Sequence, residues 1–160
     1  MFSPHFAGRV CPADAHMKGG WYGLSWQHGP GEMYRSVLES IAFEYRFYLD
    51  ILSSSGAFEK GGTVIGTGGG AKSRLFGRIK ADALGMEYRA CSDTDTGLRG
   101  SALLAGMACG LFKADGSDLP SPALSDPILS DPSQEDECVR LSRRQQALAG
   151  VLSAAHEVLL

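Results

Sequence analysis

The sequence predicts an α/β fold, a small sheet with helices on its faces. Three observations carry that reading. Met33, Val37, Ile41, Tyr45, Tyr48 and Leu52 recur at three- and four-residue steps, the period of an amphipathic helix. Residues 63–70, Thr-Val-Ile-Gly-Thr-Gly-Gly-Gly, form a β-branched apolar run that stops in glycines, as a strand entering a tight turn does. Leu75, Phe76, Ile79, Ala83 and Leu84 then restore the helical period from about Lys72, and Gly85 closes it.

The other elements follow in chain order. Residues 1–28 are punctuated by Pro4, Gly8, Pro12, Gly19, Gly20 and Gly23 among Phe6, Trp21, Tyr22 and Trp26, which suits an ordered loop with a short strand near residues 21–25. Pro30 fits the first turn of the long helix and Gly56 the position just past its end. Residues 87–91 are a second strand. From Leu98 to Phe112 the residues are small and apolar, a composition that predicts a helix packed closely against a neighbour. Residues 114–133 hold Pro120, Pro122, Pro127 and Pro132 among Asp and Ser and read as a surface linker. A last helix begins near Gln134, with Leu141, Leu148, Leu152, Ala155 and Leu159 on one face. Both strands read as buried, and buried strands need sheet neighbours that this chain does not supply. The expectation is a domain without its first strands, or one that needs a partner.

Composition narrows the function classes. At 160 residues, 44% hydrophobic and 21% charged, the chain suits one soluble domain. A net charge of −3 offers no basic field for nucleic acid or an anionic membrane. The four cysteines (Cys11, Cys91, Cys109, Cys138) and four histidines (His5, His16, His28, His156) show no metal-ligand spacing, and the expected setting is the reducing cytoplasm. The cysteines read as ordinary buried small residues. No run approaches the roughly 20 apolar residues of a membrane span.

The glycine turn at residues 66–73 is the chemical feature. Between a strand and a helix, backbone N–H groups can hold anionic oxygen, and glycine lets phosphate approach. Three patterns compete for it. The P-loop pattern GxxxxGK[ST] matches Gly66 and Lys72-Ser73 but meets Ala71 where its last glycine belongs. The dinucleotide pattern GxGxxG/A matches Gly66, Gly68 and Ala71, with Glu87 near the distance of a ribose-binding acid, yet no third strand follows Cys91.

The third pattern is a resemblance. Residues 68–76, Gly-Gly-Gly-Ala-Lys-Ser-Arg-Leu-Phe, and 81–85, Ala-Asp-Ala-Leu-Gly, resemble the GGGAxSxxW…ADxLG segment of the FGGY carbohydrate kinases. Residues 6–12 resemble their (Y/F)LxGERxP stretch, with Val10 and Cys11 departing from it, and residues 23–28 resemble GLTxxH. Residues 35–43 are similar to RAxLExxAF and residues 97–111 to GAAxLAxxGxG. Asp131-Pro132 and the final helix resemble the family's usual ending. The motifs stand in the family's order over nearly the whole chain.

The resemblance implies part of an actin-like (ribonuclease H-like) ATPase domain, residues 1–160 being its carboxyl-terminal portion without the first strands or the N-terminal lobe. It implies ATP, with Mg2+, as cofactor of the full-length enzyme, and a sugar or polyol held only with that lobe. Gly69 and Gly70 would lie against the nucleotide, Ser73 and Arg74 near the adenine end, and the loop from Gln27 to Gly31 would add to the wall. Arg74 stands where relatives often have Pro or Asn. The family's catalytic Asp and its DxGT-like phosphate turn match nothing here, so the chain alone is expected to lack kinase activity. A non-catalytic remnant, or a module binding nucleotide or a partner chain, is the alternative reading. Exposed apolar surface where strands would pair makes self-association an expectation.

Several residues have simpler readings. Asp93 and Asp95 suit the electrostatics of a helix N-terminus. Arg35 and Glu39 suit an i,i+4 surface pair. Lys72 suits a solvated position, His28 a structural hydrogen bond, and Tyr45, Phe47 and Tyr48 core and interface.

Overall fold

The computed structural model describes residues 1–59, 61–93, 95–155 and 158; Leu159 and His156 lie outside them. The elements run β1 (Phe2–Ser3), β2 (Gly20–Trp21), α1 (Pro30–Ser54), β3 (Thr63–Gly66), α2 (Arg74–Leu84), β4 (Glu87–Ala90), α3 (Thr96–Ala108) and α4 (Glu135–Ala154). Single 3-10 turns at Gly69–Lys72 and Pro132–Gln134 lead into α2 and α4.

Local chemistry sets the helix ends. Glu32 reaches back so that its Oε2 accepts from the N–H of Gly29 at 2.9 Å, with Pro30 in the first turn of α1. Ser73 caps α2, its Oγ accepting from the Phe76 N–H at 3.2 Å, and Gly85 at φ +66° closes the helix in the left-handed region. Asp95 caps α3 by accepting from the Leu98 N–H at 2.8 Å, the helix-end role its position suggested.

The core forms where α1, α2 and α4 cross. Leu38, Ala42 and Phe43 of α1 pack on Phe76, Ile79 and Ala83 of α2, and Ile41, Cys138 and Leu141 close the cluster. At its edge Arg46 donates from Nη1 to the Ala83 carbonyl at 2.8 Å, satisfying an acceptor near the end of α2. The α1 stripe is thus rotated from the expected one. Leu38 and Ala42 are buried, whereas Tyr45 and Leu52 are each 44% exposed. The period was right, but the side facing α2 was chosen by the partner helix.

A second, polar interface ties the amino-terminal segment to the helices. β1 pairs with β2 in antiparallel register, Phe2 opposite Trp21. Behind it, the buried Glu44 carboxylate takes Arg9 Nη2 at 3.2 Å, Gln146 Nε2 at 3.2 Å and Gln145 Nε2 at 3.3 Å, all on Oε1. Arg9 also donates to Gln146 Oε1 at 3.0 Å and lies 4.9 Å over the Phe47 ring.

The other sheet pairs β3 and β4 in parallel, Thr63 opposite Glu87 through Gly66 opposite Ala90. Four expectations change here. β3 is not buried: Thr63 and Ile65 are exposed, because among the described residues it has a neighbour on one edge only. Among the described residues α3 packs closely on no other element, and Gly106 is its one buried residue, against the ring of Phe112 just beyond the helix end. Residues 123–128 are more than a linker. Tyr88 and Ile128 exchange backbone hydrogen bonds at 2.9 and 2.8 Å, and Ser125 donates from its N–H to the Ala90 carbonyl at 2.8 Å, laying an antiparallel segment along the outer edge of β4. Finally, Cys91 is buried, but Cys11 and Cys109 are exposed, since each stands in a turn that nothing covers.

Candidate functional site

The site is built at the junction of β3 and α2. Gly68 holds φ +76° and ψ −174°, a conformation costly for any residue with a β-carbon, and it turns the chain out of β3. Gly69 through Lys72 then make one 3-10 turn, with Ala71 tucked inward and Gly69 and Gly70 exposed. A β-carbon on Gly69 would meet nothing within 4 Å, and one on Gly70 would meet the Phe76 ring at 3.5 Å. The backbone N–H groups of Gly69, Gly70, Arg74 and Leu75 donate to no described residue. Unsatisfied donors ahead of a helix, at the positive end of its dipole, suit an anion.

Beside this turn lies a cleft of about 270 Å³, walled by Ala71, Lys72, Ser73 and Arg74, by Tyr88 and Ala90 of β4, and by residues 125–128. It therefore brings Ser73 and Arg74 together with a wall that sequence reasoning missed. Ser125 and Asp126 belong to the segment read as a linker. The available signal was the apolar pair Leu124 and Ile128 inside the Pro-Ser-Asp run, spaced so that both bridge to the strand end. Lys72 and Arg74 are exposed. Ser73 spends its hydroxyl as an acceptor on the helix cap.

Gln27 and Gly31 are placed elsewhere. Both are exposed at the start of α1, and neither lines this cleft. Their neighbour His28 faces α4 instead, sharing a depression with Arg144, Ala147, Leu148 and Val151. His28 Nδ1 accepts from the Ser25 N–H at 2.9 Å, the structural hydrogen bond expected of it. The Arg35–Glu39 pair forms at 2.6 Å on the surface.

The fold gives no added support to the P-loop or dinucleotide patterns. Ala71 is buried at negative φ where a P-loop needs glycine freedom, and β4 is followed by α3 and an antiparallel segment rather than a third parallel strand. Residues 1–109 match the family model described as the FGGY family of carbohydrate kinases, C-terminal domain. The chain belongs to the FGGY family of carbohydrate kinases.

Individual relatives agree. A xylulose kinase of Escherichia coli (strain K12) is 33% identical over 133 residues, which span 81% of this chain and 27% of that protein. The crystal structure of xylulose kinase from Rhodospirillum rubrum superposes with a TM-score of 0.79 at 25% identity, covering 98% of this chain and 31% of that one. The gluconate kinase of Lactobacillus acidophilus, at 21% identity, shares the fold with a TM-score of 0.80 over 100% of this chain and 32% of its own. The match thus runs through α3, residues 123–128 and α4. The fold is that of these actin-like kinases, and the chain spans about a third or less of their length.

Proposed function

We propose that this chain is the nucleotide-binding, carboxyl-terminal portion of an ATP-dependent sugar or polyol kinase. The glycine turn carries the reading. Four N–H groups of the turn and the start of α2 have no acceptor among the described residues, and beside them lies a cleft whose walls hold Ser73, Arg74 and Asp126. Gly69 and Gly70 receive phosphate oxygens, since bare backbone there allows close approach. The cleft beside Arg74 takes the base and ribose, its aromatic wall supplied by Tyr88 and its hydrogen-bond acceptors by Ser125 and Asp126. The Gln27–Gly31 loop has a weaker claim, because the fold turns its neighbour His28 toward α4.

Phosphoryl transfer needs a base at the sugar hydroxyl and charge neutralisation at the phosphates. In the full-length enzyme Mg2+ would accompany the ATP phosphates and supply that neutralisation. The family's carboxylate base likewise belongs to the longer protein. The chain by itself binds nucleotide and turns over none, and it meets sugar only together with the other lobe.

Calorimetry with ATP and with NAD tests the first half. Binding of ATP abolished by bulky substitution at Gly69 supports the reading, and binding of NAD alone overturns it. A coupled ADP-release assay across a sugar panel tests the second half, and turnover by the 160-residue chain would overturn it.

A further inference from the structure

A depression of about 640 Å³ lies between residues 22–28 and α4, and it shares no lining residue with the cleft beside the glycine turn. Tyr22, Gly23 and His28 form one wall and Arg144 the other. Leu148 and Val151 follow Arg144 one and two turns on, along the same face of α4, and make an apolar floor. Val151 stays 64% exposed there.

The polar walls are rich in donors. His28 Nδ1 accepts from the Ser25 N–H at 2.9 Å, so the ring proton sits on Nε2. That N–H has no partner among the described residues, and neither has the Arg144 guanidinium or the Tyr22 hydroxyl. The Gly23 N–H donates to no described residue, and an added β-carbon on Gly23 would meet nothing within 4 Å, so the space beside its backbone is open. No Asp or Glu lines the depression.

The donor set says what kind of acceptor fits. A guanidinium offers two parallel N–H groups to two oxygens of an anion and keeps its charge at any ordinary pH. His28, Tyr22 and Gly23 leave further donors for a third oxygen. A carboxylate has two oxygens and uses part of this set, whereas a phosphate monoester has three non-ester oxygens and nearly two negative charges near neutral pH. Its organic substituent then lies on Leu148 and Val151, in a volume within the range of about 300–1,000 Å³ usual for small-molecule sites. We propose that this depression binds a small organic phosphate monoester, of the phosphorylated sugar or polyol class. The choice of that class rests on the kinase reading, since such an ester is the product of the proposed reaction; the donor set itself is separate from the nucleotide turn.

The probes are xylulose 5-phosphate, xylulose and inorganic phosphate, titrated separately into the isotopically labelled 160-residue chain and followed by NMR. The ester is expected to shift the Gly23 and His28 amides and the Arg144 Nε signal together, to bind at least threefold tighter than inorganic phosphate, and to have no counterpart in xylulose. Arg144→Gln should weaken the ester at least tenfold and Arg144→Lys clearly less, because a lysine keeps the charge and loses the fork. Arg144 is exposed, so far-UV circular dichroism should be unchanged in both. No shift at millimolar ester, or an unchanged affinity in Arg144→Gln, would overturn the proposal. Inorganic phosphate binding as tightly as the ester would overturn it too, marking an adventitious ion only, as would an ester that moves the Gly69 and Gly70 amides instead. ATP read on those two amides in separate spectra keeps the two readings apart. An ester response at Arg144 without an ATP response breaks the nucleotide assignment and supports this site; the reverse breaks this one.

Discussion

Glu44 and Lys80, two of the buried charged side chains in this domain, have been treated in opposite ways. Glu44 on α1 collects Arg9, Gln145 and Gln146 around one carboxylate oxygen, drawing partners from the amino-terminal segment and from α4. Lys80 on α2 has only aromatic faces. Glu44 sits where three segments of the chain meet, so its counter-charge and donors come from within. Lys80 lines a hollow beside β3, whose other edge pairs with no described residue. Burial costs a charge its hydration, and at Glu44 a counter-charge and amide donors on Oε1 offset part of that cost. At Lys80 ring faces alone offset it.

Breaking the complete interface should produce the largest effect. Glu44→Ala leaves Arg9 buried beside no anion and is expected to lose about 3–5 kcal/mol of stability in urea denaturation. Glu44→Gln should lose clearly less, because its amide oxygen still accepts.

Next comes the tight contact under β3. Gly66→Ala drives a β-carbon into the Tyr88 hydroxyl, and about 1–3 kcal/mol should be lost. Tyr88→Phe in the same background should return part of it, by removing an oxygen that has no partner. A double-mutant cycle by denaturation measures this coupling. Ser73→Ala removes the cap of α2 and should cost about 1 kcal/mol while weakening ATP binding, since the turn and the helix start move together.

Lys80→Met should cost nothing, or add stability within about 1 kcal/mol, because it keeps the volume and removes the desolvated charge. The pH dependence sharpens the point. A lysine whose pKa is depressed in the folded state makes stability rise with pH, from that lowered value up to about 10.4 in the unfolded chain. Denaturation curves collected across alkaline pH should show this rise in the parent chain and lack it in Lys80→Met. The smallest effect belongs to α3. Asp95→Ala unpins its N-terminus, yet with almost nothing packed on the helix the global midpoint should move by no more than about 0.5 kcal/mol, with the change confined to the α3 amides.

How much of this could be read from sequence differs by region. The β3–turn–α2 unit was legible because its signals are local. β-branched residues, a run of glycines and Gly85 at a helix stop each act within a few residues, whereas the cap made by Ser73 appears only in the structure. The α1 helix was legible in period but not in facing, since sets containing Leu38 or Tyr45 both repeat at helical steps and only packing on α2 chose between them. Residues 123–128 were hidden because backbone pairing, not side-chain pattern, fixes them against β4. Of the candidate site, Ser73 and Arg74 were found together. Ser125 and Asp126 were not, and Gln27 and Gly31 do not line that cleft.

The sequence by itself determined the family, the order of the elements and the glycine turn, because motifs, caps and strand runs are properties of neighbouring residues. Only the tertiary structure decided which charges are paired. Glu44 meets Arg9 across 35 positions and Gln146 across 102, while the rings around Lys80 come from three elements. Whether a charge finds a partner depends on what packs over it, and with one edge of the parallel sheet covered and the other paired with no described residue, that is a fact of three dimensions.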